Sequence, residues 1–374
     1  MVLSQQSGAT QPTSRSASHP VKPPFFSILL PTKNRSEIVA GAISSVLDQT
    51  DGDFELIISD NDDSDTATRG AVAEFSDPRI RYFRTSGRLA MHENWENAFD
   101  QARGDYVLIL EDKQRLVRNA LEILRHWFQR HGPLPISYEI RFARTERIPD
   151  PEFFPPLQRW SSRDAIELFC RFEQKFFNIL PKSLDSCAPR TLLSGIKAKS
   201  PTGMLYSYIS PDYTSGFMTL AETPEFLYTP QPLVYVPNNW MWQGKYSNGQ
   251  ASFRKTEAYR RFLRDLPVSR DMILRDVPVK TEFLWINSVL YDFHVFYVKP
   301  GHTPQVNWAR YYGFCIILIL MGWKLGGDLS DEINLVVRAI QRESMPIKAR
   351  VAIDVIRRGL GLMWLLTRKT ITRS

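Results

Sequence analysis

Two adjacent carboxylates, Glu111 and Asp112, directly follow an apolar run from Val107 to Leu110. Such a run is too short for a helix and is typical of a buried strand in an α/β sheet. Ligands of open α/β sheets bind just outside the carboxyl ends of the strands. The pair is therefore placed to meet a ligand or a metal ion; the alternative is a solvated turn after a core strand.

The strands predicted before this run also end in polar residues. The strand at 26–30 ends at Pro31, the strand at 54–58 runs into an acidic loop at Asp60, and a short strand follows at 79–83. Apolar residues at helical spacing predict a helix from Ser36 and another at about 92–102. Alternating strands and helices predict an α/β fold, with a mostly parallel sheet flanked by helices. Pro31, Asp60 and Glu111 should then meet at one edge.

Two common nucleotide-binding motifs do not occur in the sequence. Neither GxGxxG after the first strand nor GxxxxGK[ST] is present. This argues against an ordinary dinucleotide-binding fold and against a P-loop. The lack of a Gly-rich loop also argues against a nucleotidyltransferase of similar topology.

Four motifs in a fixed order resemble the family 2 glycosyltransferases with the GT-A fold. The motifs are Pro31-Thr32-x-Asn34-Arg35, Ser59-Asp60-Asn61, Met91-x-x-Asn94-Trp95-Glu96, and Gly104-Asp105-Tyr106-Val107 with its acidic strand end. The resemblance covers roughly residues 25–121 and, more loosely, extends to residue 212. It implies an inverting transferase that takes a sugar from a nucleotide-diphosphate donor to a glycan, glycolipid or other lipid-linked acceptor.

The same resemblance implies roles for individual residues. Asp60 would accept a hydrogen bond from the base or ribose of the donor. Asp112, with Glu111, would stand where the family's DxD motif meets ribose, metal and diphosphate. The implied nucleotide-sugar site comprises Pro31, Thr32, Asn34, Arg35, Asp60, Asn94, Glu111, Asp112 and Lys113.

The acidic motif departs from the family pattern, because Lys113 and Gln114 stand where further acids are expected. Mg²⁺ or Mn²⁺ prefers oxygen ligands and usually bridges one or two carboxylates to substrate phosphates. Three alternatives follow. A divalent cation binds through Asp112 or Glu111 alone; Lys113 replaces the metal; or the protein is a non-catalytic nucleotide-sugar-binding or scaffold protein.

Asp212, in the segment Ser210-Pro211-Asp212-Tyr213, is the predicted catalytic base, and Glu222 is the next candidate. An inverting transferase needs a carboxylate that takes the proton of the acceptor hydroxyl. The alternative is an ordinary turn. A loop at 237–246 carries rings that could stack on a sugar or pack on the domain. The Gln-x-x-Arg-Trp signature of processive synthases is absent, which favours transfer of one sugar per encounter.

Three regions are predicted along the chain: a disordered tail at 1–22, a GT-A domain at 23–250 and a mainly helical region at 251–374. Helices are predicted at 162–177, 254–266, 281–298, 307–325, 331–342 and 347–367. The last helix is basic and amphipathic, which suits peripheral contact of residues 347–374 with an anionic membrane. The alternative is a helix packed on its own domain or on a dimer partner.

The charge distribution does not argue for a nucleic-acid groove in the main domain, and no nucleic-acid partner is predicted. The net charge is +7, and residues 341–374 alone, with eight Lys/Arg and two acids, carry +6 of it. The three cysteines form no metal-binding pattern and read as reduced thiols in a cytoplasmic protein. The apolar run at 311–323 is shorter than the roughly 20 residues that a membrane span needs. The predicted location is therefore the cytoplasm, with contact to the inner face of the membrane.

Overall fold

A computed structural model describes residues 22–63, 66–143, 150, 156–237, 248–299, 301 and 304–371, with only the backbone given for 248–250 and 360–371. Except for Lys22, the predicted tail at 1–22 lies outside these residues. So does the predicted loop at 237–246, except for Pro237.

The described strands form one sheet in the order β3-β2-β1-β4-β8-β6-β9-β5, and β7 also pairs with β9. Six strands run in one direction, and β5, β7 and β8 run in the other. The strands are β1 (Phe26–Thr32), β2 (Phe54–Asp60), β3 (Ile80–Arg84), β4 (Tyr106–Ile109), β5 (Arg115–Leu116), β6 (Ile136–Phe142), β7 (Gln158–Ser161), β8 (Ser186–Pro189) and β9 (Glu225–Val236).

Helices cover both faces of the sheet and make up most of the C-terminal third. They are α1 (Ser36–Leu47), α2 (Ala67–Ala73), α3 (Met91–Asp100), α4 (Ala120–His131), α5 (Ser162–Cys170), α6 (Gln174–Ile179), α7 (Arg190–Lys199), α8 (Pro211–Glu222), α9 (Asn248–Phe253), α10 (Glu257–Arg264), α11 (Arg270–Leu274), α12 (Trp285–Phe296), α13 (Trp308–Lys324), α14 (Ser330–Gln341) and α15 (Met345–Ile371).

The prediction of a mixed α/β fold with a mostly parallel sheet is confirmed. Every residue of β1 and β2 is buried, because helices pack on both faces. Apolar side chains of α1 and α4 cover one face, and those of α3 and α7 cover the other. Gly104 lets β4 lie close to β1, since a Cβ there would stand 2.7 Å from the backbone of Phe26 and Ser27.

One predicted helix is divided in the structure, and another begins later than predicted. The helix predicted at 162–177 breaks into α5 and α6 at Phe172, whose φ is 52°. The helix predicted at 254–266 begins only at Glu257, because Lys255, with φ 49°, separates α9 from α10. Left-handed backbone cannot continue a right-handed helix, and periodicity alone does not reveal where it occurs.

An aromatic core joins the two sides of the boundary predicted at residue 250. Phe169 of α5 lies 5.0 Å from Phe217 of α8 and 4.8 Å from Phe293 of α12, measured between ring centroids. The same core extends to α13, α14 and α15. The C-terminal helices therefore pack directly against α5 and α8, which lie before the predicted boundary.

Two charged residues of the last helix, α15, face inward: Asp354 and Arg358. Asp354 is buried and pairs with Arg358 and Arg357, and Arg358 also donates to the carbonyl of Phe172. Ile353 and Ile356 are 66% and 62% exposed instead. Among the described residues, no helix has the length and apolar content that crossing a bilayer requires.

Candidate active site

A cavity of about 960 Å³ opens at the carboxyl ends of the parallel strands. Strands β1 and β2 reach this edge in register, with Thr32 beside Asp60, and β4 ends next to β1. Nine predicted site residues line the cavity: Pro31, Thr32, Asn34, Arg35, Asn94, Glu111, Asp112, Lys113 and Asp212. The structure thus brings the predicted donor site and the predicted base into one space.

Asp112 is buried, and both of its oxygens have partners. Thr32 donates its hydroxyl to Oδ2 at 2.9 Å, and Arg35 donates Nη1 to Oδ1 at 2.8 Å. The side chain of Asp112 is 3% exposed and that of Arg35 is 29% exposed. The loop after β1 is therefore attached to the end of β4 by a charge-assisted hydrogen bond.

Glu111 is neutralised by its neighbour two residues on. Lys113 Nζ lies 3.0 Å from the carboxylate of Glu111. The side-chain oxygen of Gln114 accepts the backbone N–H of Glu111 at 2.8 Å, so this amide closes the turn after β4. Lys113 and Gln114, the two residues that depart from the family pattern, thus both bond to Glu111.

These residues do not fit a divalent cation as they are arranged. Each carboxylate of the pair already has its own cation, Arg35 for Asp112 and Lys113 for Glu111. Among the described residues, no group of three or more His, Cys, Asp or Glu could hold a metal ion. A site that is already close to neutral attracts Mg²⁺ or Mn²⁺ weakly. The divalent cation at Asp112 and Glu111 stays a prediction.

Asp60 is the one residue of the predicted nucleotide-sugar site that is not among the residues lining the cavity. Its fully buried carboxylate accepts hydrogen bonds from the Tyr82 hydroxyl and, at 3.0 Å, from Arg84. It also accepts the backbone N–H of Asp62 at 2.9 Å. Burial and the Asp60 carboxylate raise the pKa of Tyr82. The side chain of Asp60, at the end of β2, thus bonds to two side chains of β3. Its contact with a base or ribose stays a prediction.

The Asn-Trp-Glu motif of α3 holds the fold around the cavity. Asn94 accepts the hydroxyl of Ser59 at 2.7 Å and donates to the carbonyls of Thr32 and Ser59 at 3.3 Å, which ties β1 to β2. Glu96 accepts the backbone N–H groups of Leu205 and Tyr206 at 2.9 Å. Asn94 thus borders the cavity, but its side-chain amide is already hydrogen-bonded to Ser59 and Thr32.

Asp212 lies in the first turn of α8 and faces the cavity. Pro211 suits the first position of this helix, because the N–H that it lacks would have no helical partner. Burial raises the pKa of Asp212, the Lys182 charge opposes the rise, and the Glu111 charge adds to it. A carboxylate with a raised pKa is a stronger base near neutral pH. The segment at 210–213, which was predicted to carry the base or to form an ordinary turn, forms the start of α8.

Glu222, the second candidate base, lies at the other end of α8. Ten residues of helix separate it from Asp212 by about 15 Å. Its carboxylate pairs with Lys199 and, at 3.7 Å, with Lys299. It is not among the described residues that line the cavity, and this favours Asp212 as the base.

An ion pair between Lys182 and Asp185 lies close enough to Asp212 for the Lys182 charge to lower its pKa. Lys182 Nζ lies 2.9 Å from Oδ2 of Asp185 and 5.3 Å from the centre of the Tyr213 ring. Burial raises the pKa of Asp185 to about 7, although the Lys182 charge opposes the rise. Sequence reasoning missed this pair, because nothing in a local pattern marks residues 182–185 as neighbours of residue 212.

The opposite wall of the cavity comes from the C-terminal helices. Helix α10 contributes Tyr259, Arg261 and Phe262, and α12 contributes Trp285 and Ser288. Arg88, in the loop before α3, pairs with Asp265 at 3.0 Å and joins the two walls. The sequence predicts helices at 254–266 and 281–298, but helical periodicity does not say what each apolar face covers.

Two further cations border the donor side of the cavity. Burial lowers the pKa of Lys33, and the nearby charge of Arg88 lowers it further. The carboxylates of Asp63, Asp265 and Asp62 oppose this fall, and Arg88 is itself paired with Asp265.

Comparison with known proteins agrees with this geometry. Residues 27–185 match the family model described as Glycosyl transferase family 2. A β-1,3-glucosyltransferase of Campylobacter jejuni acting on GalNAc(5)-diNAcBac-PP-undecaprenol is 36% identical over 104 residues, covering 27% of this chain and 33% of that protein. The Escherichia coli enzyme WfgD, a UDP-Glc:α-D-GlcNAc-diphosphoundecaprenol β-1,3-glucosyltransferase, is 34% identical over 99 residues, covering 26% and 39%.

The chain therefore matches little more than a third of the length of these curated relatives. Among solved structures, residues 1–349 of Staphylococcus aureus TarS in complex with UDP-GlcNAc align with 12% identity and a TM-score of 0.47. That alignment covers 87% of this chain and 83% of the other.

Proposed function

We propose that this chain, whose residues 27–185 form a family 2 glycosyltransferase domain, transfers a sugar from a nucleoside-diphosphate donor to a hydroxyl group of a lipid-linked glycan. One observation carries the proposal. The acidic strand end at Glu111 and Asp112 shares a single cavity with a carboxylate of raised pKa, Asp212. The names of the curated relatives make UDP-glucose and a glycan-diphospholipid the first substrates to test.

The proposed reaction is a single displacement with inversion. The acceptor hydroxyl oxygen attacks the anomeric carbon while Asp212 takes its proton. The bond from the anomeric carbon to the phosphate oxygen breaks, and the nucleoside diphosphate leaves with the electron pair. Asp212 and the acidic strand end border the same cavity, which supports attack and departure from opposite sides.

The charge of the leaving diphosphate would be met by side chains of the protein. Arg35, Lys113, Lys33 and Arg88 all border the donor side. Three of them, Arg35, Lys113 and Arg88, are paired with carboxylates, so each would have to share its cationic group between that carboxylate and the diphosphate. Lys113 would then supply the positive charge that a metal ion gives in the usual form of the motif.

Contact with a membrane is proposed for the face of α15 that carries Ile353 and Ile356. Both side chains are more than half exposed, whereas Asp354 and Arg358 on the same helix point inward. Exposed apolar residues on a helix with many basic neighbours suit an anionic lipid surface. Such contact would bring the cavity close to a lipid-linked acceptor.

Donor binding and hydrolysis test the proposal. We expect one of the UDP-, GDP-, dTDP- or CDP-sugars to raise the melting temperature, since a ligand at 100 times its Kd adds about 2.7 kcal/mol of stability. We also expect slow release of free nucleoside diphosphate, and no loss of this activity in excess EDTA.

Three other outcomes would change the proposal. If none of the four donors binds, the enzymatic function is wrong. If a donor binds but is neither hydrolysed nor transferred, the chain is a nucleotide-sugar-binding protein, an alternative that the replacement of an acid by Lys113 favours. If hydrolysis stops in EDTA and returns with Mn²⁺, a divalent cation is required.

A further inference from the structure

His92, the second residue of α3, lines the cavity with a side chain to which the proposed reaction gives no role. The residue is 5% exposed. Its ring nitrogens make no hydrogen bond within the part of the chain that the structure describes, yet neither is among the fully buried side-chain atoms that lack a partner. The nitrogens of His92 therefore reach solvent, on the side where the residue borders the cavity.

The face of α3 that carries His92 is turned towards the segment before α8. Trp95 and Glu96, three and four positions further on, share this face with His92. The Trp95 ring lies edge-on to that of Tyr206 at 5.6 Å, and Glu96 accepts the backbone N–H groups of Leu205 and Tyr206 at 2.9 Å. This segment leads into α8, whose first turn carries the proposed base.

The opposite face of α3 is bonded to the strand ends. Asn94 and Asn97 both bond to Ser59 of β2, and Asn94 also donates to the carbonyl of Thr32 in β1. Helix α3 thus lies between the strand ends, where the diphosphate is proposed to bind, and the segment that leads to the proposed base. In a single displacement the transferred sugar lies between these two, because its anomeric carbon joins the diphosphate to the attacking oxygen.

The chemistry of this imidazole suits a hydroxyl group. Burial lowers the pKa of His92, although the Glu93 carboxylate opposes the fall, so the ring is neutral at neutral pH. A neutral imidazole has one nitrogen that donates and one that accepts, and a hydroxyl group also donates and accepts. Polar groups in such buried positions are nearly always paired in native proteins, so an imidazole without a partner in a cavity wall indicates a polar ligand or a bound water.

We infer that the imidazole of His92 hydrogen-bonds a hydroxyl group of the transferred sugar and that this contact helps to select the donor. A site that bonds a hydroxyl discriminates against a sugar that lacks it, because the polar group of the protein is then left without a partner. His92 is thus a specificity-determining residue, and Asp212 remains the proposed base. This inference rests on the proposed function.

Calorimetric titration of the full chain with UDP-glucose and with UDP tests the contact. If another donor binds in the thermal assay, that nucleotide sugar and its nucleoside diphosphate are used instead. His92→Phe keeps a ring but removes both nitrogens, so affinity for the nucleotide sugar should fall about 3- to 10-fold while affinity for the nucleoside diphosphate is unchanged. His92→Gln keeps a donor and an acceptor and should recover most of the loss. His131→Phe, at the end of α4 and not among the described residues that line the cavity, is the matched control.

Donors that lack one hydroxyl group give an independent check. Among the monodeoxy forms of the nucleotide sugar, one should bind the wild-type protein and His92→Phe with equal affinity, because neither complex contains the hydrogen bond. The other monodeoxy forms should still bind the wild-type protein more tightly.

Several results would overturn the inference. It is wrong if His92→Phe binds the nucleotide sugar as the wild type does, or if it loses affinity for the nucleotide sugar and the nucleoside diphosphate by the same factor. It is also wrong if donor affinity is unchanged and only the KM for the acceptor rises, since His92 would then contact the acceptor. If His92→Phe lowers the melting temperature, His92→Ala is judged by the same comparison.

The wild-type protein separates this failure from a failure of the proposed function. If it binds and hydrolyses a nucleotide sugar and the His92 variants do not differ from it, the inference fails and the proposed function stands. If it binds no nucleotide sugar at all, the proposed function fails, and the inference fails with it.

Discussion

The two walls of the cavity differ in how completely their polar groups are paired. On the donor side, the carboxylates of Asp112 and Glu111 both have cations at hydrogen-bond distance. Around Asp212, the lining residue Ser288 and the carboxylates of Asp185 and Asp292, which are not among the lining residues, each bury a side-chain oxygen without a hydrogen-bond partner. The donor side is thus ordered by its own contacts, whereas the side of Asp212 contains buried polar atoms that are not paired.

This difference indicates which side of the cavity lowers the free energy of unfolding. A paired carboxylate costs a folded protein little, but an unpaired buried oxygen destabilises it by about 1–3 kcal/mol. Burial raises the pKa of Asp212, and it also raises the pKa of Asp185 and Asp292 on the same wall. Groups with strongly shifted pKa values are concentrated at functional sites. Proton transfer is therefore expected on the side of the cavity where Asp212 lies.

The largest effect is expected for Asp212→Asn. Removal of a general base typically costs about 10²- to 10⁴-fold in rate, because the acceptor proton has nowhere to go. Affinity for the nucleotide sugar should be unchanged, since Asp212 lies on the other wall. Transfer kinetics and a nucleotide titration measure the two effects. Glu222→Gln, at the far end of the same helix, is the matched control, and near-normal turnover of Asp212→Asn would remove that residue from the mechanism.

A smaller effect is expected for Arg35→Ala on the donor wall. Asp112 would keep only its hydrogen bond from Thr32 and would be a buried charge without a cation. We expect a loss of about 1–3 kcal/mol of unfolding free energy and a roughly 10- to 100-fold weaker donor affinity. Urea unfolding and calorimetric titration measure these changes. Arg163→Ala, which removes an 87% exposed side chain, should have little effect on either. Equal effects of the two variants would show that the donor wall is not held by this pair.

The smallest effect is expected for Asp292→Asn, and it should depend on pH. Burial raises the pKa of Asp292 well above its usual value. The folded state therefore favours the protonated acid, and its stability is complete below the unfolded pKa of about 3.9 and falls as the pH rises towards the folded pKa. Asparagine does not ionise and can still accept the N–H of Ser210.

The melting temperature of Asp292→Asn should thus exceed that of the wild type by more at pH 8 than at pH 5. Asp271→Asn, at an exposed residue of α11, is the control. A difference between wild type and Asp292→Asn that stays constant with pH would show that Asp292 titrates alike in the folded and unfolded states.

The sequence predicted the donor wall well, because its signals are local. Continuous apolar runs marked β1, β2 and β4, and the polar residues after them marked the edge where the cavity lies. The sequence did not reveal that Asp60, at the end of β2, is fully buried and bonded to β3, although its position resembles that of the residues that do line the cavity. Whether a strand-end carboxylate faces a ligand or a neighbouring strand depends on Tyr82 and Arg84, which lie more than 20 residues away.

The sequence by itself determined the order of strands and helices, the polar strand ends and the presence of Lys113 where an acid is usual. The first two follow from apolar periodicity and from residue chemistry, both of which act over a few positions, and the third follows from the resemblance to the family motif. Only the tertiary structure decided which charges meet. Arg35 reaches Asp112 across 77 residues, and Arg88 reaches Asp265 across 177. It also decided that α10 and α12 close the cavity, because the packing of an apolar helix face depends on the surfaces that the rest of the chain provides.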